Sequence, residues 1–169
     1  AYNLTEVSIP YAIEQNIFNA VVYLGYLANS YSHIYDVAIE EVIREPYASR
    51  IPEYFDGTKD SDFLQDNLPE NLTDLLQASF ISDVQNGVLN PFLNYAQKNE
   101  MYLWTPQSPL RFYFGSADKD VSPEDSKKAY EYMNANGGNA KLLNLGNFDH
   151  DQSILQAIPH VQSWFNKMQ

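Results

Sequence analysis

The chain has no cysteine among its 169 residues, which excludes disulfides and thiolate metal sites. It is also poor in cations: 10 Lys and Arg stand against 22 Asp and Glu, for a net charge of −12. A surface that negative repels phosphate backbones and anionic headgroups, which argues against nucleic acid or a charged bilayer as the main partner. No apolar run approaches the roughly 20 residues that span a bilayer, so no transmembrane segment is expected. The opening stretch Ala1-Tyr2-Asn3-Leu4-Thr5-Glu6 has neither the basic nor the apolar part of a signal peptide. It reads as a cut into a longer chain or as a trimmed mature end.

What is present suffices to fold. Apolar residues make up 44%, and 169 residues give room for one ordinary domain with a core. Aromatics are plentiful, with 13 Tyr and 9 Phe. Tyr pairs an apolar body with a polar tip, which suits half-buried helices and equally the wall of a pocket for amphipathic ligands.

Two regions differ in pattern, and the division is set at residues 1–104 and 105–169. From Pro10 to Glu100 the periodicity is helical. Ile13, Ile17, Phe18, Val21, Leu24 and Ala28 recur at three- and four-residue steps, which predicts one helix interrupted by Gly25. Tyr35 to Arg44 predicts a second helix, stopped by Pro46. Pro52, Gly57 and Pro69 mark a loop-rich stretch, and the acids Asp56, Asp60, Asp62 and Asp66 read as a solvated loop. Short helices are expected at Asn71 to Leu76, Phe80 to Val84 and Pro91 to Gln97, the last with Pro91 at its start. No strand is expected here.

From Thr105 the punctuation changes. Leu110-Arg111-Phe112-Tyr113-Phe114 predicts a strand ended by Gly115. Ser122-Pro123-Glu124-Asp125 is a helix start: a capping hydroxyl, a proline suited to the first turn, and two acids at the positive end of the dipole. Asn136-Gly137-Gly138 stops that helix. Ala140 to Leu145 predicts a second strand, followed by a loop with Asn147-Phe148-Asp149-His150 and a helical region from Ile154 to Phe165 broken at Pro159. Strand, helix, strand, helix is a right-handed βαβα unit with two parallel strands.

Open parallel sheets place ligands at the C-terminal ends of their strands. Asp118 and Asp120 fall past the first strand; Asp149, His150 and Asp151 fall past the second. A histidine held by a carboxylate is a general base, because the carboxylate fixes the tautomer and stabilises the imidazolium. His160 reads as structural, and His33, among Tyr31, Ile34 and Tyr35, as a residue of the helical region. The three histidines are too scattered for a metal site, and no metal or other cofactor is expected. Asn3-Leu4-Thr5 and Asn71-Leu72-Thr73 are glycosylation sequons, meaningful only in a eukaryotic secretory protein.

At these residues the chain resembles a family. Gly115-Ser116-Ala117-Asp118-Lys119-Asp120-Val121-Ser122-Pro123 is similar to the segment of α/β-hydrolases that carries the triad acid, and Leu143 to His150 is similar to their last strand and histidine loop. The resemblance implies Asp118, not Asp120, as the acid and His150 as the base. The family often has proline directly after the valine; here Ser122 stands there. More loosely, Arg44 to Ser49 and Phe55-Asp56-Gly57 resemble the helical lid of secretory-lipase-like esterases. The fold so implied is α/β: a helical lid followed by a βαβα end, with an incomplete sheet.

The family's nucleophile sits in Gly-x-Ser-x-Gly, and none of the seven glycines frames a serine that way. The resemblance therefore implies the C-terminal portion of a carboxylesterase or lipase whose serine lies outside this sequence. Its expected partners are an ester or lipid substrate and either a missing N-terminal half or a second copy of the chain. Secretion or a periplasmic place is implied by the resemblance alone. Two alternatives remain at this point: a prolyl-oligopeptidase-like peptidase, which usually carries a propeller in place of helices, and a binding module without chemistry.

Overall fold

The computed structural model describes residues 3–168; Ala1, Tyr2 and Gln169 lie outside the described residues, the first two within the opening stretch read above. The chain divides into two compact units, Leu4–Asn99 and Glu100–Gln169, with Asn3 belonging to the latter.

The first unit is helical. After a π-helical turn at Leu4–Ser8 come α1 (Ile9–Gln15) and α2 (Phe18–Tyr35). The single helix expected over Ile13 to Ala28 is therefore two. Asn16 breaks it with a left-handed backbone, φ 53°, which Asn tolerates better than most residues. The break also frees its side-chain oxygen to accept the Thr73 N–H at 2.8 Å.

The helix expected from Tyr35 to Arg44 does not form. Asp36 ends α2 in the left-handed region, and only a 3₁₀ turn, Ile39–Glu41, follows. Val42 and Ile43 are both fully buried. Ile43 instead bridges Leu76 antiparallel. Around it the Gln77 N–H donates to the Val42 carbonyl at 2.8 Å and the Arg44 N–H to the Leu75 carbonyl at 3.0 Å.

The remaining helices are α3 (Ile51–Tyr54), α4 (Ser61–Asn67), α5 (Leu72–Leu75), α6 (Ala78–Asn86) and α7 (Pro91–Lys98). Within the acidic stretch read as loop, Asp60 caps α4 by accepting the Phe63 N–H at 2.9 Å, so Asp62 and Asp66 ride on a helix. Asn90 does the same for α7, ahead of Pro91. These short helices close around Val21, Ile51, Leu72, Phe80 and Phe92, each at most 1% exposed.

The second unit is mixed. β1 (Leu110–Phe114) and β2 (Ala140–Asn144) pair in parallel, from Leu110 opposite Ala140 to Phe114 opposite Asn144. Between them runs α8 (Pro123–Ala135), capped by the Ser122 hydroxyl, with Ala129 and Met133 buried. The Asn3 N–H donates to the buried Asp125 carboxylate at 2.8 Å. The Asn3 side chain is itself 1% exposed, so its sequon is closed to modification in this fold.

The last helix, α9 (His150–Asn166), corrects two expectations: it starts at His150 and it runs through Pro159 unbroken. Asp149 and Gln152 form a reciprocal capping box that nucleates it early. A proline within a helix leaves the carbonyl four residues back unpaired. That residue is Leu155, 66% exposed, where water can take the carbonyl. The sheet is open, two-stranded, and half-exposed along the whole of β1.

Candidate functional site

The parallel pairing puts the C-terminal ends of β1 and β2 side by side, so the loops leaving them run together. Three hydrogen bonds tie the loops past the last paired residues. The Ser116 N–H donates to the Gly146 carbonyl at 2.9 Å, the Ser116 hydroxyl to the same carbonyl at 3.1 Å, and the Ala117 N–H to the Phe148 carbonyl at 3.2 Å. One loop thereby delivers Asp118 and the other His150. Asp118 Oδ2 lies 2.9 Å from His150 Nδ1, across 32 residues of sequence.

Each carboxylate oxygen of Asp118 has its own task. Oδ1 accepts the backbone N–H groups of Asp120 (3.0 Å) and Val121 (2.9 Å), which fixes the side chain against its own turn. Oδ2 is left for the imidazole. The residue is 7% exposed, whereas the His150 side chain keeps 33% exposure. A carboxylate only accepts, so Nδ1 carries the ring proton and Nε2 keeps a lone pair.

The hydrogen bond to Asp118 raises the His150 pKa above its ordinary 6.5, with the charges of Asp118, Asp120 and Asp151 adding to it and partial burial opposing it. A raised value with one free ring nitrogen is the condition of a general base that accepts a proton and holds it.

Asp120, not selected from the sequence, is here too: single donor atoms of Asp118, Asp120 and His150 all lie within 4.8 Å of one another. Within it, Asp118 Oδ1 accepts two backbone N–H groups and Oδ2 faces the imidazole. Asp149 and Asp151 stay at the surface, Asp149 as the cap of α9. The other histidines sit apart: His33 Nδ1 lies 2.8 Å from the Asn29 carbonyl on α2, and His160 packs its ring near Tyr113.

Sequence reasoning missed Ser153 and the tightness of Gly115. Ser153 is buried, and its hydroxyl donates to the Asp149 carbonyl at 2.5 Å, bracing the start of α9. Its signal was faint: a small residue three places past the histidine. Beside the pair, a cavity of about 180 Å³ is lined by β1 (Tyr113, Phe114) and by residues of both α8 and α9, with no residue of β2.

No protein-family model and no curated protein sequence matches the chain. Solved structures do. A protein of Legionella pneumophila assigned to the hydrolases matches 94% of this chain with TM-score 0.80 at 22% identity, over 42% of its own length. The rice cell wall degrading esterase LipA of Xanthomonas oryzae matches 88% with TM-score 0.69 at 22% identity, over 45% of its length. A variant of that esterase matches 95% with TM-score 0.77 at 24% identity, over 49% of its length. At these identities the likeness is one of fold. The chain spans under half the length of each of these proteins.

Proposed function

We propose that this chain is the acid-and-base portion of a serine esterase that cleaves carboxylic esters through an acyl-enzyme. The observation that carries the reading is the Asp118–His150 contact at 2.9 Å, placed at the shared C-terminal end of two parallel strands. In this reading Asp118 orients His150, and His150 Nε2 takes the proton of a serine that lies outside these 169 residues. It returns that proton to the departing alcohol, then activates water to release the acid. Asp118 holds the imidazolium charge in between. The helical unit, Leu4–Asn99, is assigned the part of lid.

Three features support a completing segment of the same hydrolase, carrying that serine. β1 has one paired edge, and the cavity beside the pair is walled by β1 and both flanking helices without β2. One face of α9 is apolar and open: Ile154, Ile158 and Phe165 are 47–53% exposed and recur at four- and seven-residue steps. No Gly-x-Ser-x-Gly occurs in the sequence. A strand laid beside β1, followed by a helix on that face, would bury both and bring a strand-end nucleophile to His150. The esterase neighbours and the helical unit, Leu4–Asn99, favour ester over peptide substrates.

The test is hydrolysis of a short activated ester by the purified chain and by its His150→Ala variant. Both are expected near background, because nucleophile and oxyanion donors are supplied elsewhere. A fast rate lost in His150→Ala would mean that a serine of this chain acts, and would overturn the division of labour.

A further inference from the structure

The acid loop brings two carboxylates to one imidazole, and a single orienting acid needs only one. Asp118 and Asp120 are two residues apart on a turn whose geometry Asp118 itself sets, by accepting the Asp120 N–H at 3.0 Å. That turn directs the second carboxylate back toward the first. Donor atoms of the two acids and of His150 fall within 4.8 Å of one another, and both acids are at least partly shielded from water. At that separation, in a partly buried site, a unit charge acts on the ring without a direct bond.

We infer that Asp120 is a positioning residue, a second carboxylate that shares the imidazolium charge of His150 with Asp118 and turns to accept the hydrogen bond of its Nδ1–H when Asp118 is removed. This rests on the acid–base reading of the pair. Other charged and titratable groups face the ring as well. Asp151 lies one residue along α9, the positive end of α9 opposes protonation, and Tyr113 lines the adjoining cavity. Asp120 differs from these because it lies on the same turn as Asp118, with a carboxylate oxygen within 4.8 Å of a ring nitrogen of His150.

The experiment is an NMR pH titration of the imidazoles in the whole 169-residue chain, where only His33, His150 and His160 need be told apart. Asp120→Asn keeps the backbone turn and removes the charge. It is expected to lower the His150 midpoint by about half a pH unit, the size of a partly solvated charge pair, and Asp120→Lys to lower it about twice as far. Asp118→Asn is expected to lower it further but to keep a hydrogen-bonded Nδ1 proton; only Asp118→Asn with Asp120→Asn should bring an ordinary histidine. Asp120→Glu should restore the parent value. An unchanged midpoint in Asp120→Asn and Asp120→Lys, or an Asp118→Asn variant no different from the double one, overturns the inference. The readout uses no ester, so a chain that fails as part of an esterase leaves this result standing, and the converse.

Discussion

Gly115 and Phe148 approach so closely that the first has no room for a side chain. A β-carbon on Gly115 would stand 2.3 Å from the Phe148 carbonyl oxygen and 2.1 Å from the Ser153 hydroxyl. Real carbon–oxygen contacts never come that near. The bare backbone at the end of β1 is therefore what lets the histidine loop lie flat against the acid loop, and the 2.9 Å contact between Asp118 and His150 depends on it.

Gly115→Ala should accordingly force the two loops apart. The cost is about 1–3 kcal/mol, the range for overpacking a filled interior, and is read from chemical denaturation. The same variant should return the His150 midpoint toward 6.5, since the hydrogen bond that raises it would be stretched. Removing the Ser153 hydroxyl should not repair it, because the Phe148 carbonyl is backbone. Full stability with an unaltered midpoint would show that the loops have slack.

The raised pKa of His150 has a sign that stability must follow. The folded chain holds this proton more tightly than the unfolded chain does. The contribution is fully present below the unfolded value, near 6.5, and is lost as pH rises through the folded value. The second unit should thus lose stability across that window, and His150→Gln should flatten the loss. Denaturation midpoints followed in small pH steps measure it, and an unchanged slope in His150→Gln contradicts it.

The helical unit rests on aromatic packing. Phe80 is fully buried and meets Phe92 edge to face at 5.4 Å. Phe80→Ala should cost about 3–5 kcal/mol. Because Phe80 lies in Leu4–Asn99, the His150 titration of the second unit serves as the control and should stay in place while the helical unit is destabilised.

The second unit was largely legible in the sequence because its signals were local. The aromatic run Leu110 to Phe114 and the start at Ser122-Pro123 gave β1 and α8 with correct ends. The onset of α9 was missed because its cap is a pair, Asp149 with Gln152, and its interior proline reads as a stop. In the first unit the periodicity marked burial correctly, yet it could not foretell the left-handed turns at Asn16 and Asp36. At Asn16 the turn goes with a distant partner, the Thr73 N–H that its side chain accepts. Likewise Ile43 looked helical until Leu76 was beside it. The spatial meeting of Asp118 with His150 could be anticipated only from their places after successive strands; the nearness of Asp120 needed the turn itself.

The central claim is that His150, held by Asp118, is the base of an ester-cleaving triad. The most direct measurement is kcat/KM on a short acyl ester for this chain joined to the serine-bearing segment that the proposal requires, against the same assembly carrying His150→Ala. Loss of a triad member removes most of the catalysis, so a fall of about 10⁴-fold or more is predicted, largely in kcat. Ester hydrolysis that persists at the parent rate in His150→Ala would contradict the account.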